Sequence, residues 1–126
     1  MGLILRKMQE FYPSEFNFSP RTYILPLETD LLRKAMEKSN KAWILKPSGG
    51  SEGCGILLVM KFKDIPAFVF TQDYVAQAYL ADPLLIDGKK FDLRIYVMVT
   101  SLGGTDPATA FIADEGLVRL CTKDYE

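Results

Sequence analysis

The sequence predicts an α+β fold in which helices come first and mostly antiparallel strands follow. Two observations carry that prediction. Leu27, Leu31, Leu32, Ala35 and Met36 recur at helical spacing along one face of residues 27–39. From Ala42 onward the texture changes to short apolar or alternating runs, separated by Gly, Pro and Asp-Gly turn signals.

Taken in order, "MGLILRKMQEFY" (1–12) suits a short helix, with Leu5 and Met8 at helical spacing. "PSEFNFSPRTYILP" (13–26) holds three prolines and alternating aromatics, which favour extended chain and turns, and the aromatics of "FYPSEFNFSPRTY" (11–23) suggest a packing strap. Residues 27–39 form the clearest helix, acidic early and basic late, as the helix dipole prefers. "AWILK" and "GILLVM" read as strands on either side of a glycine loop. "KFKDIPAF" breaks at Pro66 after one helical turn, and "DYVAQAYL" (73–80) is again extended. Asp87–Gly88 signals a tight turn. "KFDLRIYVMVTSL" (90–102) is the longest strand candidate; "ATAFIA" extends, "DEG" turns and "LVRLC" extends once more.

Composition excludes several chemistries. The 126 residues contain no histidine, which removes Ser–His–Asp and Cys–His catalysis and His-based metal sites. Cys54 and Cys121 form no CxxC pair, and nothing near Cys54 supplies a base. A net charge of −1 points to neither nucleic acid nor a membrane surface, and no apolar run reaches the ~18 residues of a membrane helix. These features fit a reduced, soluble, intracellular protein. The ending "CTKDYE", directly after a strand-like run, fits a fragment of a larger domain.

Within the long strand, Phe91, Leu93, Ile95, Val97 and Val99 share one parity and should form a core face. Lys90, Asp92, Arg94 and Tyr96 share the other. That row is either a solvated face or the floor of an anion-binding cleft, in which Asp92 could orient Arg94. The loop "KPSGGSEGCG" has neither P-loop nor dinucleotide-fold spacing. Its lysine precedes the glycines and a strand follows. Four glycines in residues 49–55 exceed what a plain hairpin needs, and such loops turn backbone N–H groups toward phosphate oxygens. Glu52 opposes that role. Gln77 lies mid-strand, where an amide needs partners, and Arg119 sits on a short strand beside Leu117 and Cys121.

In this order the pieces resemble the tubulin–tyrosine ligase-like family, of ATP-grasp fold, and within it the tubulin polyglutamylases. The resemblance runs through "LRKMQEFYPSEFNFSPRTYILPLE", "WILKPSGGSEGCGI", "VAQAYLADPLLIDGKKFDLRIYVMVTS" and "DEGLVRLCT", nearly the whole chain. It implies a partial ATP-grasp domain over 1–126: a lead-in and helix (1–42), a small nucleotide-binding lobe (43–76), and a hinge with the start of the central lobe (77–126). It implies that Lys46 contacts ATP phosphates, that Ser51, Gly53 and Gly55 form the grasp loop, and that Gln77, Tyr79 and Leu80 lie beside adenine. Lys90 and Asp92 would line the nucleotide site. Arg94 would face the γ-phosphate or the acyl phosphate made from it, and Arg119 would hold the incoming amino acid or activated carboxylate.

The implied reaction adds glutamate to tubulin tail glutamates through an acyl phosphate, with ATP and Mg2+ as cofactors and the metal ligands outside this chain. The implied partners are tubulin or microtubules and free glutamate, without nucleic acid or membrane, in the cytoplasm, on the cytoskeleton or in a cilium or flagellum. Ala78 replaces a basic residue found in several relatives. With Glu52 it favours the alternative of a non-catalytic tubulin-binding or scaffold module on a decayed ligase fold. The chain alone is expected to be inactive, to keep weak nucleotide affinity, and to self-associate through an unpaired sheet edge.

Overall fold

The computed structural model describes residues 2–49 and 53–126. The chain divides into two compact units, Met1–Ala81 and Asp82–Glu126. Both are built from antiparallel strands, and the helices lie in the first, so the chain is α+β.

The first unit contains α1 (Gly2–Phe11), β1 (Thr22–Leu25), α2 (Thr29–Glu37), β2 (Trp43–Pro47), β3 (Leu57–Val59), two 3₁₀ turns (Phe62–Asp64 and Ala67–Phe70) and β4 (Tyr74–Ala78). Its strands form one antiparallel sheet in the order β1-β4-β2-β3. Side chains alternate across a strand, so each strand splits its residues between two faces. Tyr23, Leu25, Trp43, Leu45, Val59, Tyr74 and Ala76 are buried on one of them. Leu32 and Met36 of α2, with Ile65 and Val69 around the 3₁₀ turns, close the core on that side. The opposite face carries the half-buried Thr22, Ile24, Ile44, Lys46, Val75 and Gln77.

Helix α2 is shorter than its apolar pattern suggested. It starts at Thr29, with the Leu32 N–H donating to the Glu28 carbonyl at 2.9 Å. Leu27 therefore precedes the helix and is 85% exposed, and Leu31 is exposed as well. Only the i, i+4 pair Leu32 and Met36 is buried, with Ala35 packed against it. Asp30 lies in the first turn and Lys34 in the last, as the dipole favours. The aromatic strap is only partly one: Tyr23 is buried in β1, whereas Phe11, Tyr12 and Phe18 are exposed.

The second unit is dominated by a long hairpin of β5 (Phe91–Ser101) and β6 (Thr109–Leu120). The Asp87–Gly88 turn forms as expected. Both residues have positive φ (49° and 74°), and Ile86 and Lys89 exchange two backbone hydrogen bonds around them.

Two expectations change here. "DEG" is not a turn between two strands; β6 runs straight through it with a bulge, the register stepping from Ile95 opposite Gly116 to Val97 opposite Ile112. Nor is the apolar parity of β5 a core face, because Leu93, Ile95, Val97 and Val99 are all exposed. A two-stranded ribbon has no layer of its own to lay on that face, so alternation alone could not bury it.

Candidate functional site

The first group of candidate residues lies on the open face of the first sheet. Lys46, near the end of β2, is opposite Val75 in the register and diagonal to Gln77 on β4. Its Nζ donates to Gln77 Oε1 at 3.2 Å, and Gln77 Nε2 in turn donates to Thr22 Oγ1 on β1 at 3.0 Å. The amide is thus spent orienting the lysine across three strands. Among the described residues this is the one side-chain hydrogen bond of Lys46, and an ammonium has further donors to offer an anion.

The glycine loop begins directly after β2. Ser51 and Glu52 lie outside the described residues. On the far side of them, Gly53 and Gly55 have positive φ (78° and 75°), which few side chains tolerate. Gly55 is also crowded: a Cβ there would stand 3.3 Å from Pro47 Cγ and 3.4 Å from Tyr74 Oη. The loop is therefore tied back to the strand that carries Lys46. At the end of β4, the Tyr79 N–H donates to the Ala42 carbonyl at 2.9 Å, whereas Leu80 is 65% exposed.

The second group lies on the hairpin of the second unit. Asp92 and Arg119 are opposite one another in the register. Arg119 Nε donates to Asp92 Oδ1 at 2.7 Å and Nη2 to Oδ2 at 2.8 Å, a bidentate pair open to solvent. The Asp92 hydrogen bond and its charge raise the Arg119 pKa above the ordinary arginine range. Arg94, opposite Leu117, shares that face. Asp92, which could have oriented Arg94, bonds Arg119, because the antiparallel register sets Arg119 directly across from the carboxylate. Lys90 places its ammonium 4.8 Å from the centre of the Tyr125 ring.

Sequence reasoning missed two positions. Thr22 completes the Lys46–Gln77 relay, but only the pairing of β1 with β4 reveals it. Gly116 lies against β5 so closely that a Cβ would fall 2.6 Å from the Arg94 carbonyl oxygen. The "DEG" signal marked the place but suggested a turn instead of a close strand approach.

Residues 2–126 match the family model described as the tubulin-tyrosine ligase family. The chain belongs to the tubulin-tyrosine ligase family. Among its relatives are tubulin polyglutamylase ttll6 of Danio rerio, 43% identical over 122 residues, and tubulin polyglutamylase TTLL11 of Homo sapiens, 40% identical over 131 residues. Tubulin monoglutamylase TTLL4 of Mus musculus is 41% identical over 121 residues. These alignments cover 96%, 97% and 95% of this chain but only 15%, 18% and 10% of the relatives. Tubulin-tyrosine ligase family membership therefore holds for the segment, which spans less than a fifth of each of these relatives.

Proposed function

We propose that this chain supplies part of the nucleotide cleft of an ATP-grasp carboxylate–amine ligase that adds glutamate to tubulin tails. The observation that carries the reading is Lys46, held by Gln77 beside a positive-φ glycine loop, in a chain whose relatives are named tubulin glutamylases. In the proposed reaction a substrate carboxylate oxygen attacks the γ-phosphorus of ATP, and ADP leaves. The amine of the incoming glutamate then attacks the acyl carbon, displaces phosphate and loses a proton.

ATP supplies the activating phosphoryl group. In this reading Lys46 draws in phosphate oxygens, the loop of Ser51, Gly53 and Gly55 presents N–H groups to them, and Gln77, Tyr79 and Leu80 flank the base. Lys90 and Asp92 line the nucleotide site, with Asp92 also holding Arg119. Arg94 and Arg119 offer fixed positive charge to the transferring phosphoryl and carboxylate groups. Such reactions are catalysed mainly by positioning and electrostatics, without a nucleophilic side chain. Magnesium would be held by residues outside this chain. The partners would be tubulin and free glutamate, and the setting cytoplasmic and cytoskeletal.

Two experiments test the proposal. Titrating ATP into the chain should shift amide resonances around residues 46, 53–55 and 77–80, and Lys46→Ala should abolish those shifts; their absence in the unaltered chain would sink the nucleotide reading. Replacing the matching segment of the Danio rerio relative with residues 2–126 should preserve glutamate incorporation into tubulin, and Arg94→Ala in that chimera should remove it. A folded chimera that binds tubulin but incorporates nothing would favour a non-catalytic module.

A further inference from the structure

Lys46, Gln77 and Thr22 form a chain of hydrogen bonds across β2, β4 and β1, and its direction is fixed at the Thr22 end. The Thr22 hydroxyl donates to the Pro20 carbonyl at 2.8 Å. A carbonyl oxygen only accepts and a hydroxyl has a single proton, so Thr22 Oγ1 can meet Gln77 only as an acceptor. Gln77 Nε2 lies 3.0 Å from it and donates. The other end of the amide is then Oε1, which accepts from Lys46 Nζ at 3.2 Å. With the amide reversed, its NH2 group would face the ammonium, donor against donor. Thr22 would meet an oxygen that it has no proton left to bind.

Further contacts hold Thr22 in this pose. Thr22 stands directly opposite Gln77 in the strand register, where facing side chains are closest neighbours. A β-branched side chain has few χ1 states. A Cβ on Gly2 of α1 would stand 3.5 Å from the Thr22 methyl, so α1 lies over that methyl while Oγ1 turns to Gln77. The Arg21 carbonyl accepts from the Ala78 N–H at 2.9 Å, which ties the approach to β1 onto β4 beside Pro20. Thr22, Gln77 and Lys46 are half-buried, which limits the competition of water for their bonds.

We propose that Thr22 is the positioning residue that aims the Lys46 ammonium. It acts through Gln77, whose amide it orients and holds, and it needs no contact with phosphate. A free lysine side chain loses much rotational freedom when it grips an anion. A lysine already tethered by a correctly turned amide loses less, and the difference appears as affinity. The identity of the anion rests on the nucleotide reading, whereas the lock belongs to the unliganded chain.

The test starts without ligand, by NMR. Nuclear Overhauser contacts of the Gln77 Nε2 protons should be stronger to the Thr22 methyl than to the Lys46 ε-protons. The opposite order would overturn the lock, even if no variant folded. Thr22→Val keeps the shape of the side chain and removes the hydroxyl. It should speed exchange of the Gln77 Nε2 protons and merge the separate shifts of the two Lys46 ε-protons, with backbone amides of β2 and β4 in place. Thr22→Ser should restore both signals. Val and Ser variants alike in these signals, and different only in melting temperature, would reduce Thr22 to a structural role.

ATP is then titrated into the same chains. Thr22→Val should weaken affinity about three- to tenfold, and Thr22→Ser at most about twofold. Unchanged affinity in a Thr22→Val chain whose Lys46 has loosened would overturn the positioning role. Inorganic tripolyphosphate separates this inference from the nucleotide reading. If the unaltered chain binds tripolyphosphate but not ATP, the nucleotide reading fails and the same ratio between variants still supports Thr22. Binding of neither would overturn both.

Discussion

Arg119 grips Asp92 through two parallel hydrogen bonds across the β5–β6 ribbon, at 2.7 and 2.8 Å. The pair arranges one of the two candidate catalytic arginines before any ligand arrives. Both side chains are more than half exposed, so water screens the attraction and its worth lies in orientation more than in stability. Asp92→Asn should leave the melting temperature unchanged while accelerating exchange of the Arg119 Nε proton, measured by NMR. Faster unfolding with unchanged Nε exchange would contradict this account.

The same pair makes a pH prediction. A base whose folded pKa is raised contributes stability that is fully present below its unfolded pKa and is lost only as pH rises through the folded value. Arg119 is shifted upward by Asp92, so its contribution is constant between about pH 6 and 9. Urea unfolding across that range should show the same slope with pH for the unaltered chain and for Arg119→Gln.

Gly116 should tolerate no side chain. The atom 2.6 Å from its ideal Cβ is the backbone oxygen of Arg94, which cannot rotate away as a flexible side chain would. Gly116→Ala should raise amide exchange along the hairpin about tenfold or more, with the first unit unaffected. Since Arg94 is the displaced neighbour, the substitution should also lower activity in the chimera.

Gly53 and Gly55 share a left-handed backbone but differ in surroundings. Alanine at either position incurs the backbone cost of about 1–3 kcal/mol. At Gly55 it also meets Pro47 at 3.3 Å, whereas the nearest atom at Gly53 is 3.9 Å away. Gly55→Ala should therefore be the more destabilising, by urea unfolding of the first unit.

Glu28 joins α1 to the sheet. Its carboxylate accepts from Arg6 Nη1 at 2.6 Å and from the Ile24 backbone N–H at 2.7 Å, and the side chain is only 14% exposed. Glu28→Ala strands the Ile24 donor as well as Arg6 and should cost about 1–3 kcal/mol. Arg6→Ala removes one of the two partners and should cost less. Thermal melts of both variants decide the order.

Short-range signals were enough to locate the local elements. Apolar spacing located α2, alternation located β5, Asp87–Gly88 dictated its own turn, and the glycines after Lys46 marked the break between β2 and β3. The family resemblance was equally legible, since it needs only the order of motifs.

Which residues meet follows from strand pairing. Gln77 bonds Thr22 across 55 positions of chain, and Arg119 instead of Arg94 takes the Asp92 carboxylate, because strand register fixes partners that no local pattern encodes. The structure also separated two readings of alternation. In the first sheet α2 covers the apolar parity and buries it, while on the β5–β6 ribbon an equally regular parity remains exposed. Periodicity states which side chains share a face; burial requires a second layer to pack against it.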